Sequence, residues 1–509
     1  MSGEFGGERE SVWHGGIVGL DGAPVMASLV LAPPTVVAGD GLTGDESAML
    51  ARLCRVWTDK QPGNASKLDY YDGDVTCKNL GLAFGNPKVA NIIAPTVGWP
   101  AKAVDMLAER SRLDYFSTGD GDFPELRAAY DSNDMANLYR QATTSELIHS
   151  CSAFTVTAGD PAAGEGAVVV NAYSALNCAM VWDQRHKSIA YGLTITEVGP
   201  DGLPSGINLF TRSSTVLLTA GPDGAWSSER HDHSMGRPMM EPLVYRATLD
   251  RPFGKSRISR AVRSITDNAV REVLRTEVAA EIYTVPQRYF FNVDPSKLEQ
   301  NFKTYWNSYM LMTSDVEGNL SSGGQFNPPG MQDHISYMSA LATQLAGEAK
   351  LPVSSLGVVS DNPSSAEAIY AAKEDLIREA DYLNEANGTH VMNVARLIVA
   401  TADGITFQEA MERLSGVYPY FRSTDMPSRA AIADMALKEV QAIPALAGTK
   451  TFMRQLFPDD AVLSTVMSEM NGESARSLLA KVVAGMPEVE TPAASPVEVG
   501  DGAVEVAAD

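Results

Sequence analysis

LPVSSLGVVSDNPSSAEAIYAAKEDLIREADYL, residues 351 to 383, joins a polar, serine-rich loop directly to a strongly helical segment. Pro352 and Pro363 bracket residues that cannot continue a helix, because proline fixes φ and lacks the N–H that a helix interior needs. From 366 to 383 the chain is rich in Ala, Glu, Lys, Leu and Ile and contains neither Gly nor Pro, so a helix is expected there. The centre of the loop, Ser360, Asp361, Asn362, Ser364 and Ser365, carries only small polar side chains. Such a loop has little to bury and faces solvent or a passing ligand. The expected unit is a polar loop mounted on a rigid rod.

Working upstream, residues 332 to 349 form a second expected helix. Before it, residues 286 to 293 read as a strand, 295 to 312 as an amphipathic helix and 315 to 330 as turn-rich chain, together a compact β-α insertion. The insertion is preceded by residues 257 to 285, which contain no Gly or Pro and would make a rod roughly 43 Å long at ~1.5 Å per residue. Ile258, Val262, Ile265, Ala269, Val273, Thr276 and Ala280 recur along it at three- and four-residue steps, one narrow packing face. Residues 153 to 249 show a different periodicity, short runs such as FTVT, AVVVNAY and STVLLTA separated by Gly, Pro and Asp. That pattern predicts an antiparallel β-rich region. Nearer the start, Thr43 and Glu46 have the spacing of a capping box before an apolar-periodic run, and helices are expected over 98 to 112 and 124 to 150. Residues 1 to 42 read as an extended arm. Beyond Gly388 further helical segments are expected, notably 428 to 440 and 460 to 483. Residues 486 to 509 hold six acidic and no basic residues and are expected to be disordered. No internal repeat is evident.

The chain of 509 residues, 44% of them apolar, can bury a large core and divide into two to four domains. Its formal charge of -23 excludes a conventional sequence-reading nucleic-acid binder, whose affinity rests on Lys and Arg neutralising phosphates. It does not exclude a protein along which nucleic acid slides. The four cysteines, Cys54, Cys77, Cys151 and Cys178, match no zinc spacing and are sparse for a disulfide scaffold, which points to a reducing cytoplasm during synthesis. The opening residues, MSGEFGGERES, have no signal-peptide pattern and no long apolar window occurs, so neither secretion nor a membrane span is expected.

Gly254-Lys255-Ser256 is the most tempting catalytic motif, a GKS between a strand and a helix. A phosphate-binding loop of the Walker A kind needs a glycine five positions before the GK glycine, where this chain has Leu249. The favoured reading is a strand-to-helix turn, with a nucleotide site as the alternative. His231 and His233, alternate residues on a strand, could point toward one metal, but no third ligand stands at useful spacing and a solvated loop is the simpler reading. His149 and Cys151 form a similar pair, read as a helix end. No G-x-S-x-G, H-E-x-x-H, G-x-G-x-x-G or EF-hand pattern occurs, so no enzyme class gains support, and no metal, cofactor or catalytic residue is expected. One charge feature departs from the acidic background. Arg251, Lys255, Arg257, Arg260 and Arg263 form a basic cluster with no acid from 251 to 266. Either these are helix-surface charges paired with neighbouring acids, or they form a patch facing another subunit or DNA.

The order of parts, with three local stretches, resembles the portal proteins of tailed bacteriophages, the head-to-tail connector family. LDYYDGDV at 68 to 75, followed by the helix-like stretch at 86 to 113, is similar to the family's early turn and the helix after it. MEPLVYRATLDRPFGKSRISRAV at 240 to 262 is similar to its passage from the last wing strand into the stem. EAKLPVSSLGVVSDNPSSAEAIYAAKEDL at 348 to 376 resembles the end of the second stem helix, the tunnel loop and the helix beyond. The resemblance runs from about residue 67 to 483.

It implies an α+β, portal-type fold with wing, stem, clip and crown regions, assembled as a ring with a central channel. After the arm at 1-42, the wing would occupy 43-256, helical and then β-rich, the first stem helix 257-285, the clip 286-330, and the second stem helix 331-349. The tunnel loop would be 350-366, the wing return 367-424, the crown 425-485 and the acidic tail 486-509. The implied protein is no enzyme. It is a virion component, made in the host cytoplasm and placed at a unique capsid vertex, where a dodecameric ring takes part in procapsid assembly and passes double-stranded DNA during packaging and ejection. Its implied partners are further copies of itself, the terminase large subunit docked at the clip, head-completion or adaptor proteins, and the major capsid and scaffold proteins. Ser360, Asp361, Asn362, Ser364 and Ser365 would face the DNA. The alternatives are a nucleotide-binding packaging enzyme using Gly254 to Ser256 and a minor capsid or scaffold protein.

Overall fold

The computed structural model describes residues 30–75, 95–118, 121, 123–200, 202–284, 288–291, 322–325, 330–358, 366–425, 429–457 and 460–470. They fall into two compact units, residues 1–424 and 425–509. Mixed helix and sheet is the class expected from the sequence.

The first unit begins with a short strand, β1 (Val36–Gly39), and a long helix, α1 (Gly44–Asp72). The expected capping box is present: the Thr43 hydroxyl accepts from the Glu46 N–H at 3.2 Å, and the Glu46 carboxylate accepts from the Thr43 N–H at 2.9 Å. The same carboxylate takes both guanidinium nitrogens of Arg230 at 2.6 Å, so the cap also bolts the helix to a sheet. The arginine's hydrogen bonds outweigh burial and lower the Glu46 carboxyl to about 2. The helix passes through Pro62 without ending. Its buried face is held on both sides of the proline, by Trp57 donating to the Leu176 carbonyl at 2.7 Å and Asn64 to that of Ala175 at 3.1 Å.

Next come α2 (Trp99–Ala108), β2 (Leu113–Ser117), α3 (Pro124–Ser132) and α4 (Met135–His149). The single helix expected over 124 to 150 is thus two. The break falls at Asn133, whose side chain donates to the Val168 carbonyl at 3.0 Å and accepts from the Val170 N–H at 2.9 Å. A distant strand therefore claims the residue at which the helix stops.

The β-rich region is as expected. Strands β3 (Cys151–Ala158), β4 (Val168–Ser174), β5 (Cys178–Asp183), β6 (Ser188–Val198), β7 (Pro204–Phe210), β8 (Ser214–Ala220), β9 (Trp226–Asp232) and β10 (Met240–Val244) form two sheets. One has the order β1-β9-β8-β7-β6-β5, an antiparallel meander to which β1 adds in parallel at the edge. Leu193, Ile195, Ile207, Leu209, Val216 and Leu218 on one face of it pack with Leu50, Leu53 and Trp57 of α1, the alternation that a half-buried sheet requires. The other sheet, β10-β3-β4, is fully antiparallel.

Two rods follow. The first, α5 (Arg260–Thr284), starts three residues later than the sequence suggests, and the second is α6 (Met331–Ala349). They run antiparallel: Ser259 just before α5 meets Glu348 near the end of α6 at 3.3 Å, while Glu272 further along meets His334 at 2.6 Å. Ile258, Val262, Ile265 and Ala269 of the expected stripe are buried against Leu341, Ala342, Leu345 and Ala346. Past Ala269 the seam shifts, and Val270, Glu272, Leu274 and Ala279 are buried whereas Val273 is only partly so. Between the rods, β11 (Arg288–Phe291) pairs antiparallel with β12 (Ser322–Gln325). The helix expected at 295 to 312 lies outside the described residues.

The helix expected at 366 to 383 is longer, α7 (Ala366–Asp403), and passes through Gly388. Its two halves belong to different cores. Leu376, Ala380 and Leu383 pack with the rods and α2, whereas Val391, Val394, Ala395 and Ile398 pack with the β10-β3-β4 sheet, α3 and α4. Burial on both sides outweighs the roughly 1 kcal/mol that an interior glycine costs a helix. The unit closes with α8 (Phe407–Arg413) and β13 (Tyr418–Phe421), the latter antiparallel to β2.

In the second unit α9 (Arg429–Ala442), α10 (Lys450–Leu456) and α11 (Asp460–Met470) are described, with Phe452, Met453 and Leu463 buried. The first helix matches the expected 428 to 440. The second expected helix is described only as far as Met470, and residues 486 to 509 lie outside the described residues.

Candidate functional site: the junction at the foot of the loop

The start of α5, the end of α6, the foot of the polar loop, α7, α2 and the chain leaving β10 all converge at one place. Its centre is Glu379 on α7, 2% exposed. The carboxylate accepts from the Tyr245 hydroxyl at 2.6 Å, from Arg246 Nε at 2.7 Å and from Lys350 Nζ at 2.7 Å, and a second Arg246 nitrogen completes a two-point clamp. Burial by itself would raise this carboxyl. The hydrogen bonds from Arg246, Lys350 and Tyr245 outweigh it and hold the group at about 2, so it is ionised at neutral pH.

Arg246 and Lys350 share a second property: each has φ of 51°, the left-handed region that costs a non-glycine residue roughly 1 kcal/mol or more. Lys350 is the residue at which α6 ends, and Arg246 turns the chain out of β10. Both bends are held by the same buried carboxylate.

Arg257 braces the other side. It is 7% exposed and donates to the carbonyls of Ala103 and Ala349, the latter at 2.6 Å, and to the Tyr245 hydroxyl at 3.0 Å. One planar guanidinium thus ties α2, the end of α6 and the β10 exit to the start of α5, a geometry that lysine could not reproduce. Of the expected basic cluster, this member is a buried brace.

From this junction the chain enters the loop. Val353–Leu356 makes one 3-10 turn, closed by Gly357 at φ 87°. Leu351 and Leu356 are buried with Leu345 and Ala346, and Lys102 Nζ donates to the Ser355 carbonyl at 2.9 Å. The foot of the loop is thereby anchored. Ser360, Asp361, Asn362, Ser364 and Ser365 lie outside the described residues.

The Gly254-Lys255-Ser256 motif is the strand-to-helix turn favoured from sequence. Gly254 has φ of 65°, and a Cβ there would stand 2.0 Å from the Tyr245 carbonyl oxygen, so only glycine fits. The Gly254 N–H donates to Arg251, that of Lys255 to Tyr245 and that of Arg257 to Leu147, at 2.8 to 2.9 Å. The Ser256 hydroxyl donates to the Ile148 carbonyl at 2.5 Å. These donors hold the protein's own carbonyls and leave no amide cradle for a phosphate.

The remaining candidates are likewise structural. Burial, with Lys67 beside it, lowers His149 to about 3, and burial raises Cys151 to about 11, so both are neutral members of the interior. His231 lies 3.2 Å from Glu229 on an exposed strand. Among the described residues no group of three His, Cys, Asp or Glu could hold a metal ion, and no helix is long and apolar enough to cross a membrane. Reading the sequence missed Glu379, Arg246, Tyr245 and Lys350. A signal for Glu379 existed: Leu376, Ala380 and Leu383 place it on the apolar face of its helix, where an acid needs a partner.

No family model matches the sequence. The chain is 25% identical over 407 residues to the portal protein of Mycobacterium phage L5, covering 77% of this chain and 82% of that one. It is 26% identical over 399 residues to the portal protein of Mycobacterium phage D29, covering 76% and 80%. Among solved structures, chains from the virion of a native gene transfer agent particle and from the neck of that particle, the latter computed with C12 symmetry, are 14% identical over 71% of this chain. Their TM-scores are 0.41 and 0.42, a likeness that carries no argument. The resemblance read from the sequence is thus borne out by two phage proteins, both portal proteins, to which this chain is similar over about three-quarters of its length.

Proposed function

We propose that this chain is the portal subunit of a tailed bacteriophage, a structural protein that forms a ring at one capsid vertex through which DNA is packaged and ejected. The similarity to two portal proteins over about three-quarters of the chain carries this reading. In it α5 and α6 are the stem, β11 and β12 belong to the clip, residues 425–485 form the crown, and 43–256 with 367–424 form the wing. The ring docks the terminase large subunit at the clip and later takes head-completion proteins, and the major capsid and scaffold proteins surround it in the shell. The junction around Glu379 and Arg257 supports the reading physically, because a loop that meets moving DNA must be held at its base while its tip yields.

The charge is consistent with this role. Duplex DNA carries one negative charge per ~1.7 Å, and a channel lined with cations would bind it along its length. A chain at -23 with a polar, uncharged-to-acidic loop gives weak, transient contact instead.

Electron microscopy of the purified protein, with rotational analysis of end-on views, tests the proposal. Rings of about twelve subunits around a channel of duplex width are expected; a closed particle with no channel would overturn it.

A further inference from the structure

A cleft of about 720 Å³ opens between α1, the turn at residues 250–256 and the start of α5. Six cations line it, Lys60 and Lys67 from α1, Arg251 and Lys255 from the turn, and Arg260 and Arg263 from α5, against one acid, Asp250. Among the described residues none of the six is ion-paired with a carboxylate. That is unexpected in a chain with 63 acidic and 40 basic residues.

The cations are crowded rather than merely adjacent. Burial lowers the Lys67 ammonium, and neighbouring Arg263 and Lys60 lower it further. Its Nζ is fixed on the His149 carbonyl at 2.9 Å and the Asn64 amide oxygen at 3.2 Å. Arg263 lies over the Tyr70 ring, with its Nε buried and lacking a hydrogen-bond partner. An anion bound among these side chains would relieve their mutual repulsion.

The shape of the cleft selects among anions. The backbone N–H groups of Gly254, Lys255 and Arg257 are already bonded, so no cradle for a compact phosphate exists, and recognition falls to long side chains spread over three elements. Such a spread suits an extended ligand bearing several carboxylates. We propose that the cleft is a docking site for acidic polypeptide, filled by an acidic segment of a second copy of this chain. This rests on the ring reading above. Charge complementarity identifies the occupant: each copy approaches its neighbour at -23, and the cleft gathers six cations that have no carboxylate partner among the described residues, where that charge is attracted.

The test uses the full chain. Isotopically light and heavy protein are mixed before assembly and treated with a reagent that couples carboxylates directly to amines. Coupled light–heavy peptides at Lys60 or Lys255 are expected. The double variant Lys255→Glu with Arg260→Glu, both at exposed positions, should lower ring yield at least tenfold at 0.15 M salt, with its circular dichroism unchanged. Rings that lack such products, and whose yield ignores the charge reversal, would overturn the cleft assignment and leave the portal reading standing. Duplex DNA bound through these residues in place of copy-to-copy products would make phosphate the ligand and also overturn it. A chain that stays monomeric at every concentration would remove the second copy, and the ring reading would fall with the inference.

Discussion

Replacing Glu379 by Gln should loosen the foot of the loop by an amount that depends on pH. The carboxyl sits at about 2, against 4.5 for an unperturbed group. At ~1.36 kcal/mol per unit the difference corresponds to an upper bound of roughly 3.4 kcal/mol at neutral pH. Arg246 and Lys350 are 43% and 45% exposed, and water screens and would rehydrate them, so about 2 kcal/mol is the working figure. Glutamine keeps the shape but loses the charge and turns a donor toward Arg246. Hydrogen exchange read on peptides spanning 245–257 and 346–358 should therefore speed up about 30-fold at pH 7. The sign follows from the lowered pKa. The folded-state carboxylate is favoured above pH 4.5, and its contribution is lost as pH falls from 4.5 through 2, so the gap between wild type and variant, corrected for intrinsic exchange, should shrink by more than half by pH 3. Equal exchange at pH 7, or a gap that ignores pH, would refute the assignment of Glu379 as the ionic centre of the junction.

Three further outcomes are expected. Glu146 is fully buried with its carboxyl raised to about 8 by burial, offset in part by Asn387; the folded state keeps a proton that the unfolded state loses, so stability falls as pH rises from about 4.5 to 8. Glu146→Gln should flatten that slope in urea titrations and be the more stable protein at pH 8, by up to about 4 kcal/mol; a variant with the wild-type slope would remove Glu146 as its source. Gly254→Ala should destabilise by at least about 2 kcal/mol, since the turn must leave its left-handed conformation and break the Lys255 bond to Tyr245; an unchanged urea midpoint would show that the turn is not held as described. Deleting residues 360 to 364 should leave ring assembly intact in electron micrographs and impair DNA packaging or retention, and unimpaired packaging would remove the loop from contact with DNA.

Much of the site's framework was legible because local chemistry dictates it. Residues 366 to 383 contain no breaker, and residues 257 to 285 bury every third or fourth side chain for their first four turns. The Glu379 centre was not legible, although its position on an apolar helical face marks it as an acid in need of partners. Those partners come from positions 245, 246 and 350, and no local rule connects them. Arg257 illustrates the same limit. In sequence it is one of five neighbouring cations, yet only it turns inward to reach carbonyls at 103 and 349.

The sequence by itself determined the element types, the capping box at Thr43, the β-rich middle, the two rods and the helix that follows the polar loop. Each of these follows from propensity, periodicity or spacing within a few turns of chain. Tertiary structure alone decided that α1 runs through Pro62, that the helix after Pro124 breaks at Asn133, that α7 continues across Gly388 and that β1 joins β9 in parallel. In each case a distant partner outweighs a local preference of roughly 1 to 3 kcal/mol: carbonyls at 175 and 176 for α1, the backbone of β4 for Asn133, two separate cores for α7 and a sheet edge for β1. Burial and hydrogen bonding between residues far apart in the chain are large enough to override such preferences, and a linear reading does not contain them.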